Sequence, residues 1–241
     1  MKFRNSYEDL KRAESYARLE FHNTYYLAFR DIPKIVKKNI SENKALDFGC
    51  GTGRSTRFLS KLGFDTIGID ISKEMIEIAG KIKSDCKYYL ISDDNFSTLN
   101  KYSFDLIFSA FTFDNIPTEE QKIKIFQNLR NLLTGKGKII SIVSSPEIYI
   151  NEWLSFSTKD FPENNSKKCG EKVKIIIKDT DDKRPVEDII CPDEKYREIY
   201  LKSELRLISI LKPLATGNEP YNWVNETKIA PWVIYILEKE S

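Results

Sequence analysis

Residues 44–55 read K-A-L-D-F-G-C-G-T-G-R-S, and the fold turns on them. Ala45, Leu46 and Phe48 are a short apolar run of the kind that forms a buried strand, interrupted by Asp47. Gly49, Gly51 and Gly53 follow, alternating with Cys50 and Thr52. Ser55 stands where it can cap a helix carrying Arg57, Phe58, Leu59 and Leu62. Strand, glycine turn and helix in this order open a nucleotide-binding α/β unit. The glycines let the chain turn sharply and let a ligand lie against bare backbone. The spacing disfavours two common ligands. A dinucleotide fingerprint is G-x-G-x-x-G, and Arg54 occupies its last glycine position; a Walker loop ends in G-K-S or G-K-T, which this stretch lacks.

Working outward, Gly63 ends that helix and a second strand is expected over 66–70, closing on Asp70. Two parallel strands joined by a helix bring their carboxyl ends together. A carboxylate at the end of the second can then accept bonds from both hydroxyls of a ribose; the plainer reading is a residue that starts a turn. A helix over 72–83, a strand over 87–91, an irregular crossing over 95–101 and a strand over 104–109 follow. Thr118 and Gln121 form a capping box that opens a helix whose buried face is Ile123, Ile125, Phe126, Leu129, Leu132 and Leu133. Gly135 is expected to end it, with a fifth strand over 137–143. Alternation of this kind predicts a mostly parallel sheet covered by helices on both faces, with ligands beyond the carboxyl ends of the strands.

The run D-F-G-C-G-T-G resembles the first motif of the class I, Rossmann-like S-adenosylmethionine (SAM) methyltransferases, and G-I-D-I-S-K-E-M-I at 68–76 resembles their second. The resemblance covers about 44–143 and implies a seven-stranded sheet with an antiparallel C-terminal strand. It implies a SAM site built from Asp47, Gly49, Cys50, Gly51 and Gly53, from Asp70 and Ile71 at the ribose, and from Met75 and Asp93 at the adenine. Ser109, Ala110 and Phe111 would form the wall beside the reactive methyl group. Asp114 is either a helix-start residue or a polar group facing substrate. In the family, N-terminal helices cover the site. The aromatic segment L-E-F-H-N-T-Y-Y-L-A-F-R-D at 19–31 therefore yields Tyr25, Tyr26 and Arg30 as pocket candidates, Arg30 for the SAM carboxylate. His22, the one histidine, is a candidate general base or a structural residue. The N-P-P-Y type of signature that accompanies methylation of base or glutamine amino groups is absent.

The ends of the chain depart from a minimal member. Residues 1–40 read as a helical cap, with a second helix over 33–39. Residues 145–192 read as an insertion with a β-hairpin, V-K-I-I-I-K-D and V-E-D-I-I-C flanking T-D-D-K-R-P, that supplies a substrate wall or a dimer contact. Ser144, Ser145, Glu147, Tyr149 and Trp153 are substrate candidates there. Strands are expected over 205–211 and 233–238, joined by a long loop containing Glu219, Tyr221 and Trp223.

At 241 residues the chain is expected to form one methyltransferase domain. Lys+Arg (38) nearly balance Asp+Glu (36), which removes the electrostatic case for nucleic acid. No apolar run approaches a membrane span, the first residues lack an apolar signal core, and the four cysteines show no C-x-x-C spacing. The expectation is a cytoplasmic monomer or homodimer, without membrane or metal, that transfers a methyl group from SAM to an oxygen or nitrogen of a small-molecule acceptor, mainly by positioning. An RNA or protein methyltransferase and a non-catalytic SAM-binding module are the alternatives.

Overall fold

A computed structural model describes residues 9–92, 96–99 and 101–240. Three short helices open it: α1 (Leu10–Ala17), α2 (Thr24–Phe29) and α3 (Ile32–Asn39). The sheet-forming unit follows as β1 (Lys44–Phe48), α4 (Arg54–Lys61), β2 (Asp65–Asp70), α5 (Lys73–Lys81), β3 (Lys87–Leu90), β4 (Phe104–Ala110), α6 (Glu119–Leu132) and β5 (Leu133–Ser144). After β5 come β6 (Phe156–Ser157), β7 (Lys172–Ile177), β8 (Val186–Ile189), α7 (Asp193–Lys202), β9 (Leu205–Leu211) and β10 (Trp232–Lys239).

The main sheet has seven strands in the order β3-β2-β1-β4-β5-β10-β9. Strands β1 to β5 are parallel, and β10 inserts antiparallel between β5 and β9. This is the expected architecture. Its central strands are apolar on both faces, and alternation splits them between two cores. Leu106, Phe108, Ile140, Ile142, Ile234 and Ile236 pack with α2, α3 and α4 on one side. Ile107, Ile139, Val143, Val233, Tyr235 and Leu237 pack with α6 and α7 on the other.

Three local expectations change. The aromatic segment forms its own helix, α2, because Tyr25, Leu27, Ala28 and Phe29 all find buried places in the core. Helix α6 stops at Leu132 and β5 starts at once, with Gly135 and Gly137 inside the strand; Leu133 pairs with Phe104, and the register shifts before Leu106 meets Lys138. A Cβ on Gly137 would stand 2.7 Å from the Phe104 carbonyl oxygen, so the strand needs glycine there for close approach rather than for a turn. The hairpin β7–β8 gains a third strand, β6, and is a separate antiparallel sheet.

That small sheet is fastened to the N-terminal helices. Arg12 and Arg184 both pair with Asp182, Arg184 also reaches Asp9, and Arg18 reaches Asp181. Deeper in, the fully buried Glu226 gathers three segments. Its Oε1 accepts from the Thr24 hydroxyl (2.6 Å) and the Leu154 amide (2.7 Å); its Oε2 accepts from the amides of Val224 (2.8 Å) and Asn225 (3.1 Å). Asp47, in the core strand β1, holds the start of α4: its Oδ2 accepts from the hydroxyls of Ser55 and Thr56, both at 2.6 Å. Ser55 thus bonds a carboxylate below the helix instead of capping its N-terminus, and Gly53 takes the cap position in the left-handed region.

Glu226→Ala takes the acceptor from the buried Thr24 hydroxyl and from three partly buried amides and should cost about 2–4 kcal/mol, read as a melting temperature lower by roughly 4–16 °C. Burial pushes the Asp47 carboxyl up from 3.8 to about 6. The folded chain therefore takes up a proton, and the contribution of Asp47 to stability falls as pH rises from about 4 to about 6. Relative to wild type, Asp47→Asn should gain melting temperature over that window; parallel melts across it would expose the error if the difference stayed flat.

Candidate active site

The strand order reverses between β1 and β4, and the candidate site lies beyond the carboxyl ends of these strands. The amides of Gly49 and Cys50 both donate to the Ile69 carbonyl at 2.9 Å, which pins the glycine loop to the end of β2. Asp70 completes the link. Its Oδ2 accepts from the Gly51 amide and its Oδ1 from the Ser72 amide, each at 2.8 Å. A carboxylate has about four acceptor positions, so each oxygen keeps room for one more donor. Burial raises the Asp70 carboxyl, while the Ser72 and Gly51 amides pull it back.

The three glycines differ. A Cβ at Gly49 would fall 2.2 Å from Thr112 Oγ1, and one at Gly53 2.5 Å from the Tyr88 hydroxyl oxygen; these two are glycine because protein packs against them. At Gly51 the space is open, with Met75 Sδ at 3.9 Å and Tyr16 at 4.0 Å from the Cβ position. Gly51 is therefore where a ligand can reach backbone. Met75 is buried beside it, and Ile71 is exposed next to Asp70. The Cys50 thiol differs from the expectation that it faces cofactor: it is buried, and its Sγ lies 3.0 Å from the Cβ position of Gly68 in β2, below the loop. Asp47 Oδ1 is buried with no hydrogen-bond partner in the chain. Open backbone, a carboxylate with spare acceptor positions and an orphaned acceptor fit a ligand rich in hydroxyl and ammonium donors. Asp93 lies outside the described residues.

The turn Thr112–Asn115 joins this loop to a second space. On one side the Thr112 hydroxyl donates to the Phe48 carbonyl at 3.1 Å. On the other side Phe111 and Asp114 line a cavity of about 50 Å³, together with Tyr16, Tyr25, Ser144, Tyr149, Phe156, Asp188 and Trp232. Phe111 has φ 66° and sits 4.6 Å, centroid to centroid, from Trp232 and 5.8 Å from Tyr25. Both Asp114 oxygens accept the Ser144 amide, at 3.0 and 3.2 Å. The turn is held from behind by Lys122, whose buried ammonium donates to the carbonyls of Phe113 and Ile116. Asp188 comes from β8, and the Tyr149 hydroxyl donates to its Oδ2 at 3.1 Å. Burial pushes both carboxyls above the usual range, and the charge of Asp114 pushes Asp188 further.

The structure thus brings Gly51, Asp70, Met75, Phe111, Asp114, Tyr25, Ser144 and Tyr149 to two adjoining spaces. It leaves others out. Ser109 is fully buried in the sheet opposite Ser141, and Ala110 ends β4 beside Ile142. Arg30 pairs with Glu219 and Asp31, and Tyr26 packs on Tyr221, so these two serve the long loop before β10. Trp223 joins them by donating to Glu219. His22 is exposed and does not line the cavity. Trp153 is fully buried and donates to the Ile148 carbonyl; Ser145 donates to Ala230, and Glu147 holds Asn151. Sequence reading missed Tyr16, Thr112, Lys122 and Asp188. Asp188 had a signal: it takes an inward place in the V-E-D-I alternation, where an apolar residue belongs.

Among the described residues no helix is long and apolar enough to cross a membrane. Residues 45–137 match the family model described as a methyltransferase domain. An uncharacterized methyltransferase of Alkaliphilus oremlandii is 33% identical over 118 residues, 48% of this chain and 53% of that protein; the chain spans about half the length of the curated relatives it matches. A SAM-dependent methyltransferase structure from Clostridium acetobutylicum superposes with a TM-score of 0.63 at 18% identity, over 96% of this chain and 98% of that one. The CcbJ methyltransferase of Streptomyces caelestis gives 0.62 at 12% identity, over 88% and 95%. The sheet order, the glycine loop and the family match agree: residues 45–137 match a methyltransferase domain, set in the Rossmann-like fold of SAM-dependent methyltransferase structures.

Proposed function

We propose that this protein transfers a methyl group from SAM to an oxygen or nitrogen of a small-molecule acceptor, chiefly by holding the acceptor in place. The observation that carries this reading is the turn Thr112–Asn115, with the glycine loop on one side and an aromatic-lined cavity on the other. When bound, SAM supplies an electrophilic methyl group. The chain's own task is to hold a nucleophile in line with it and keep water out. Asp70 accepts from the ribose hydroxyls, the bare backbone at Gly51 carries the donor, Met75 and Ile71 offer apolar surface to the purine, and Asp47 Oδ1 offers an acceptor to the ammonium group. Phe111, Tyr25 and Trp232 exclude water from the acceptor side. A cavity of about 50 Å³, roofed by residues of α1 and α2, favours a small acceptor over an RNA or a folded protein.

Calorimetry with S-adenosylhomocysteine, with NAD as control, tests the donor; labelled SAM with an acceptor panel tests turnover and separates catalysis from mere binding. Micromolar binding of S-adenosylhomocysteine alone is expected, and binding of NAD alone would overturn the reading. Asp70→Ala should weaken it by about 1–3 kcal/mol, or roughly 5- to 150-fold. In Gly51→Ala the new methyl meets its neighbours at ordinary contact distances but strains a backbone held at φ 53° and fills the groove, so affinity should fall about tenfold or more, with a melting curve to show that the variant is folded. His22→Gln should leave turnover within about twofold of wild type, because an exposed side chain outside the cavity has no proton to move there.

A further inference from the structure

The cavity carries more charge than a water-excluding pocket needs. Asp114 and Asp188 are 4% and 8% exposed and line the same space from different elements, the turn after β4 and the strand β8. Among the described residues neither is in an ion pair. Asp188 accepts from the Tyr149 hydroxyl through Oδ2. Lys122 lowers both carboxyls through its charge, but two of its three N–H donors go to backbone carbonyls and, among the described residues, it forms no ion pair with either. Burying two carboxylates side by side is costly unless a cation joins them. The rest of the wall suits one: Tyr25, Phe111, Phe156 and Trp232 present ring faces and edges, and aromatic faces attract alkylammonium groups. A volume of about 50 Å³ matches a small head group rather than a whole ring system.

We propose that the methyl acceptor is a cationic amine, a primary or secondary alkylammonium whose head group sits between Asp114 and Asp188, and that Asp188 takes the proton that frees its nitrogen. This rests on the methyl-transfer reading above. The proton moves from the ammonium to an Asp188 oxygen. The nitrogen lone pair then forms the new N–C bond as the C–S pair returns to sulfur, leaving a neutral thioether and a methylated ammonium. Charge balances throughout. Before transfer, two carboxylates face an ammonium and a sulfonium; afterwards Asp188 is neutral and Asp114 pairs with the product cation. The division of labour follows from the surroundings. Both Asp114 oxygens accept the Ser144 amide, which holds it as the anion, whereas Asp188 accepts only a hydroxyl, from Tyr149, through Oδ2 and is the carboxylate placed to take the proton. Asp188 lies outside the stretch that matches the family.

The test is calorimetry on wild-type protein saturated with S-adenosylhomocysteine, titrated with ethylamine, dimethylamine, butylamine and benzylamine, each beside the alcohol or ether of the same carbon skeleton. At least one amine should bind about tenfold or more tightly than its neutral counterpart. Asp188→Asn and Asp114→Asn should each remove most of that preference while leaving S-adenosylhomocysteine affinity unchanged. With labelled SAM, the preferred amine should be methylated by wild type, and Asp188→Asn should lower kcat more than it raises KM. If S-adenosylhomocysteine binds but no amine is preferred over its neutral counterpart, or the preference survives both substitutions, the proposal is wrong while the donor reading stands. Failure of S-adenosylhomocysteine to bind would remove the donor reading, and the proposal with it.

Discussion

The site depends on one topological constraint. Chain leaving β1 passes to β2 on one side, whereas β4 and β5 lie on the other, so no connection covers the gap where the order reverses. Everything placed at that gap must be held by short-range bonds. The Ile69 carbonyl holds two loop amides, Asp70 bridges the loop to the start of α5, and Thr112 ties the far side to the end of β1. A carboxylate is well suited to this bridge. It accepts two backbone amides that would otherwise lack partners, and it still presents acceptor positions outward. The same residue therefore organises the empty loop and remains available to a ligand.

Much of the aromatic cavity is made by chain that the family model does not cover, with Phe111, Asp114 and Asn115 supplied by the matched stretch. Its roof comes from α1 and α2 and its wall from β7 and β8, elements far apart in sequence that meet through Glu226, Thr24 and the Arg12–Asp182–Arg184 cluster. Arg54 adds a link from below. It opens α4, where the helix dipole disfavours a cation. The guanidinium lies 4.9 Å from the Tyr25 ring centre, 5.2 Å from Phe21 and 5.7 Å from Tyr16, and donates to the Glu20 carbonyl at 2.9 Å. Aromatic faces supply the negative potential that the helix end lacks. The arginine that departs from the dinucleotide pattern in sequence is, in the fold, the post on which the aromatic roof rests.

This arrangement separates two kinds of specificity. The glycine-loop side presents backbone and one carboxylate, a surface that tolerates wide sequence change around a fixed geometry. The cavity side presents large rings and two buried carboxyls, one on the turn after β4 and one on the insertion, where a single substitution alters both shape and charge.

The sequence alone determined the sheet, its connections and the place of the glycine loop and Asp70 at the strand ends. Those features follow from local patterns: apolar runs of strand length, helix caps, and glycines and acids at strand ends, each readable within about ten residues. It also marked a hairpin after the fifth strand. It did not separate packing glycines from the one that is open, because the difference between Gly49, Gly53 and Gly51 lies in Thr112 and Tyr88, which arrive from other strands. Nor did it distinguish Tyr25, which lines the cavity, from Tyr26, its neighbour, which faces Tyr221; on a helix, adjacent residues point about 100° apart, and only the packed partner decides which face is the pocket. The pairing of Asp114 with Asp188, 74 positions apart in the chain, was decided by tertiary structure alone. No local pattern encodes it, because the cost of burying each carboxyl, and the reason to bury both, exist only once β8 has packed against the turn that follows β4.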